Sequence, residues 1–98
     1  MPTFIVERPA GSAWVAGVDT REQPLWDEHA AFMDDLFARG SVVLAGPLVD
    51  GAGDAVVVME AASAREVREL LAPDPWVVDH LLGVGEIREW RIFLDARS

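Results

Sequence analysis

Three features of the sequence predict a small α+β domain on an antiparallel sheet. Short apolar runs fall at 4–8, 41–48, 55–59 and 84–94; stretches of helical spacing lie between them; and the second and third runs are joined by a glycine-rich link. In chain order this reads β-α-β-β-α-β with an extra helical turn, the ferredoxin-like split βαβ arrangement with an antiparallel four-stranded sheet. At 98 residues the chain is expected to form one domain spanning 1–98, with a thin core.

The first strand, Phe4 to Arg8, is ended by Pro9 and Gly11. Residues 9–24 then make a connection long for so small a domain, and its Trp14, Val15 and Val18 suggest that it folds back over something. Pro24 suits a first helical turn with Gln23 as an imperfect cap, and the helix should run to about Arg39 and close at Gly40. Ser41–Leu48 is the second strand, interrupted by Ala45-Gly46-Pro47. Asp50-Gly51-Ala52-Gly53-Asp54 turns the chain into the third strand, Ala55–Met59, making a hairpin. Ser63 and Glu66 have capping-box spacing before a helix whose Val67, Leu70 and Leu71 face the sheet. Asp74-Pro75 opens a short third helix to about Leu82, and Val84–Leu94 is the last strand.

The strand at 55–59 is continuously apolar, so both its faces should be covered. Helices cover one face of such a sheet; a second copy of the chain most simply covers the other, which predicts a homodimer. The 51% hydrophobic content fits a face kept for a partner subunit. The net charge of −9 disfavours nucleic acid and anionic membranes. No apolar run is long enough to span a bilayer, and the N-terminus lacks the pattern of a signal peptide, so a cytoplasmic protein is the expectation. With no cysteine, disulfides, thiolate catalysis and cysteine-ligated metals are excluded. No phosphate-binding glycine loop, nucleophile elbow or dinucleotide fingerprint is present, and no cofactor is expected. Neither His29 with His80 nor the acidic residues near them have a metal-ligand spacing.

His29 is the unusual residue. It shares a helical stripe with Leu25, Phe32, Met33 and Leu36, which places an imidazole among apolar neighbours. It reads either as a core histidine satisfied by backbone or water, or as a general acid–base, since imidazole titrates near working pH. Asp74 before Pro75 reads as a helix N-cap. Gly46-Pro47 either bends a strand or lets a ligand approach the backbone. Trp76 and Trp90 are expected in the core, while Trp14 and Trp26 suit the mouth of a cleft.

His29, Gly40, Ala45-Gly46-Pro47-Leu48, Asp74-Pro75-Trp76-Val77 and Glu86-Ile87-Arg88-Glu89-Trp90, in this order and spacing, resemble the YCII-related (YciI-like) domain from about Phe4 to Trp90. The resemblance implies a dimeric α+β barrel of two ferredoxin-like subunits, with a cleft holding a histidine and an aspartate. By motif match these are His29 and Asp74, with Gly46, Pro47, Trp26 and Trp76 expected at a small-molecule substrate. It further implies acid–base chemistry of the lyase or isomerase type, such as dehydrohalogenation of hydroxylated aromatics. An aspartate bonded to His29 would fix its tautomer, so that His29 moves the proton and Asp74 orients it. The chain departs from the family where Trp26 replaces an arginine often found three residues before the histidine; Arg21 lies upstream at another spacing. If that arginine anchors an anion in relatives, a less charged ligand is expected here. The competing expectation is a non-catalytic ligand-binding or interaction domain with a structural His29.

Overall fold

The computed structural model describes residues 1–97. Its elements are β1 (Thr3–Arg8), a 3₁₀ turn (Thr20–Glu22), α1 (Trp26–Ala38), β2 (Val42–Pro47), β3 (Ala55–Glu60), α2 (Ala64–Leu71), α3 (Pro75–Val78) and β4 (Ile87–Glu89). The strands pair antiparallel throughout in the order β2-β3-β1-β4, the ferredoxin-like sheet expected from the sequence.

Alternation sorts the side chains. Phe4 pairs with Met59, Val6 with Val57 and Arg8 with Ala55, so these residues share one face of the sheet. Phe4, Val6, Val57 and Met59 meet Leu36 of α1 and Val67 and Leu71 of α2 in an apolar core. Each such fully buried side chain stabilises the fold by roughly 1.5–3 kcal/mol. Ile5, Leu44, Val56 and Val58 lie on the opposite face, where Val58 is buried within one chain and Leu44 is exposed.

Two helix ends follow their sequence signals closely. Gly40 takes φ +82°, with Ser41 N–H donating to Leu36 O and Gly40 N–H to Phe37 O, the Schellman pattern that closes α1. Ser63 Oγ accepts from Glu66 N–H, and the Glu66 carboxylate reaches back to Ala62 N–H.

Four details differ from expectation. Helix α1 starts at Trp26, because Leu25 is left-handed (φ +61°); Gln23 is not a cap. The buried Gln23 side chain instead bonds Val15 N–H, Val15 O and Val18 O, clasping the 9–24 connection. Helix α3 ends at Val78 rather than near Leu82, since His80 is left-handed and Leu81 and Leu82 both donate to Trp76 O. Strand β4 is far shorter than 84–94. Its bonding to β1 runs from Gly83 N–H on Pro9 O to Trp90 N–H on Thr3 O, and β1 has no strand residue beyond Thr3 to pair with. Trp90 therefore stands at the end of the sheet, exposed rather than in the core.

Candidate functional site

Asp74 is the hub of the covered face at the Arg8 end. It is fully buried and sits at the N-cap of α3, where Oδ1 accepts from Trp76 N–H at 3.0 Å. His29 Nδ1 lies 2.8 Å from Oδ1 and 3.0 Å from Oδ2. Arg8 Nη2 donates to Oδ2 at 2.9 Å. Burial alone would push the Asp74 carboxyl up, but the bonds from His29, Arg8 and the Trp76 amide together hold it below the usual aspartate range. Asp74 is thus a carboxylate and can only accept, so Nδ1 carries a proton. In neutral His29 the lone pair is then on Nε2.

The rest of the histidine environment is aromatic. Trp76 stacks on the imidazole with centroids 3.8 Å apart and planes 5° from parallel. Its own Nε1–H donates to Pro24 O at 2.7 Å, which fixes the indole. Trp26 lies 5.8 Å from the His29 ring, and Trp14 meets Trp76 edge-on at 5.7 Å. Trp14 is seated against Gly53: at φ +90° that residue has no Cβ, and one placed there would lie 2.6 Å from Trp14 Nε1. The long connection is therefore packed onto the β2–β3 hairpin rather than free.

These groups surround a cavity of about 360 Å³, a volume suited to a small ligand. His29, Trp26, Trp76, Gly46 and Pro47 all border it, while Asp74 lies behind the imidazole. Among the described residues Nε2 of His29 meets no hydrogen-bond partner and is not enclosed, and His29 borders the cavity. Gly46 keeps an ordinary backbone, and a Cβ there would meet nothing within 4 Å. Pro47 ends an edge strand, where a missing N–H is tolerated.

Two arginines join the residues singled out from sequence. Arg21, on the 3₁₀ turn, borders the cavity from the side of the chain before α1. Arg8 was missed. It is 1% exposed, pairs with Asp74 and donates from Nε to Gly83 O at 2.6 Å. A signal was present: in Phe4-x-Val6-x-Arg8 strand alternation aims the guanidinium to the same side as two core residues.

A model of the YCII-related domain matches residues 2–91. The chain belongs to that family. Among solved structures, the YCII-related chain is similar to 5-chloro-2-hydroxyhydroquinone dehydrochlorinase from Burkholderia phenoliruptrix, solved in complex with 2,5-dihydroxybenzoquinone. The TM-score is 0.62 at 19% identity, over 91% of this chain and 93% of the other, a likeness of fold. No curated protein matches the sequence.

Proposed function

We propose that this YCII-related protein is a small-molecule acid–base enzyme of the lyase or isomerase type, with His29 as the proton-transfer group and Asp74 as its orienting partner. The observation that carries the reading is the asymmetry of the imidazole. One nitrogen is anchored by a carboxylate that can only accept, and the other is open to an aromatic-walled cavity. Family membership and the fold of a dehydrochlorinase support the same reaction class.

In such a step His29 Nε2 takes a proton from a substrate carbon. The C–H electron pair forms a new C=C bond, and in an elimination the halide leaves with the electrons of its bond. Asp74 keeps Nε2 aimed and offsets the imidazolium charge as the proton arrives. Trp26, Trp76, Gly46 and Pro47 shape the place for a small cyclic or aromatic-derived molecule. The protein works in the cytoplasm as a homodimer, with the apolar outer face of the sheet (Ile5, Leu44, Val56, Val58) packed on its counterpart to form the α+β barrel.

Chloride release from chlorinated hydroxyhydroquinones tests the reading. Wild type should release chloride, and His29→Gln should be slower by roughly 10²–10⁴. A His29→Gln protein as fast as wild type contradicts it. If no ring substrate turns over but ligands bind equally to wild type and His29→Gln, the protein is a binding domain with a structural histidine.

A further inference from the structure

Trp76 is tied more firmly than filling a core requires. Its backbone N–H donates to Asp74 Oδ1, its carbonyl accepts from both Leu81 N–H and Leu82 N–H, and its indole Nε1–H donates to Pro24 O. Trp14 meets the indole edge-on and Trp26 meets it tilted, each with centroids 5.7 Å apart. The indole is therefore placed by α3 itself, by the 9–24 connection and by Trp26 of α1, and its face then lies flat on the imidazole of His29. Trp76 borders the cavity, yet at 1% exposure it offers a ligand almost no surface to touch.

We infer that Trp76 is a positioning residue for the proton transfer: it acts on the reaction through His29, by fixing the plane of the imidazole, and not through contact with the substrate. Asp74 alone does not fix that plane. Its carboxylate holds Nδ1, and a ring held at one nitrogen can still turn about the Nδ1···carboxylate line, which swings the Nε2 lone pair off its target. A parallel stack opposes this turn, because tilting the imidazole drives one edge into the indole and lifts the other out of contact. Asp74 and Trp76 stand two residues apart across Pro75, so one capped turn presents a carboxylate to the edge of the imidazole and an indole to its face. The stack acts again as the proton arrives, since the π face attracts the imidazolium charge.

The inference rests on the acid–base reading and assigns a buried ring its part in it. No bond of Trp76 forms or breaks; the proton still passes from the substrate carbon to Nε2. A misaimed base costs rate rather than binding, because the reacting atoms must meet within a narrow geometry while the ligand keeps its own contacts.

Steady-state kinetics of chloride release from a chlorinated hydroxyhydroquinone, with kcat and KM read separately, tests the inference. Trp76→Leu keeps an apolar side chain but no ring, and should lose kcat by about 10–100-fold with KM within about 2-fold of wild type. Trp76→Phe keeps a face on His29 without the Pro24 anchor; it stays folded where Trp76→Leu does not, and should lose kcat only about 3-fold at unchanged KM. In a His29→Gln background Trp76→Phe should add nothing, because an effect carried by His29 disappears with it. Independently of turnover, the indole face should move the His29 Cε1–H resonance upfield in wild type, and Trp76→Leu should abolish that shift. A raised KM with kcat kept, a Trp76→Phe effect as large without His29 as with it, or an unshifted Cε1–H overturns the inference and leaves the role of His29 standing. A His29→Gln protein as fast as wild type overturns the acid–base reading and the inference with it.

Discussion

At the Phe4 end of β1 the covered face of the sheet is closed by apolar side chains alone, whereas at the Arg8 end, two residues beyond Val6, it carries a buried ion pair, a histidine and three tryptophans. Both ends rest on the same strand and the same alternation. The difference lies in how each excludes water. Around Leu36 and Met59 there is nothing polar to satisfy. Around Asp74 every carboxylate bond comes from the protein, and each donor is supplied by a different element: α1, β1 and α3. The apolar end can lose volume and relax. The polar end is held by mutual pairing, so removing one partner strands the others.

The largest effect should therefore come from Asp74→Ala. It leaves the Arg8 charge buried and unpaired and removes a helix cap, which should cost about 3–5 kcal/mol in urea unfolding. Leu36→Ala at the opposite end should cost about 2–4 kcal/mol while leaving ligand affinity unchanged. A Leu36→Ala protein more damaged than Asp74→Ala would reverse the comparison.

Acid sharpens it further. Because the folded-state pKa of Asp74 is lowered, its contribution is complete above the unfolded aspartate value of about 3.9 and is lost as pH falls through the folded value. Stability curves of wild type and Asp74→Asn should differ at neutral pH and converge in strong acid. Parallel curves across that range would mean the carboxylate charge is not what holds this end together. The smallest effect is expected from Trp76→Phe. It keeps a ring on His29 but leaves Pro24 O without its donor, for about 1–2 kcal/mol by thermal or urea denaturation.

The sequence made much of this legible, unevenly. The succession of strands and helices along the chain followed from apolar runs and the Gly51–Gly53 turn, and the helix ends at Gly40 and Ser63 from local capping chemistry. These depend on neighbours in the chain. The start of α1 and the ends of α3 and β4 depend on contacts far along it: Gln23 is drawn to Val15 and Val18, Leu82 bridges to Ala10, and β4 stops where β1 does. Within the site, His29 stood out because its stripe is apolar, and Asp74 because of Pro75 and the family pattern. Arg8 carried no such local mark: it reads as the last residue of a strand, and β1 lies between β3 and β4 in the sheet. Only there does alternation force the guanidinium inward.

The most direct test of the account is the tautomer of His29, read from the nitrogen shifts of its ring by NMR at a pH where the ring is neutral. The account predicts a proton on Nδ1, shared with Asp74, and an unprotonated Nε2 open to the cavity. A ring protonated on Nε2, or one whose Nδ1 shift is unchanged by Asp74→Asn, would contradict it.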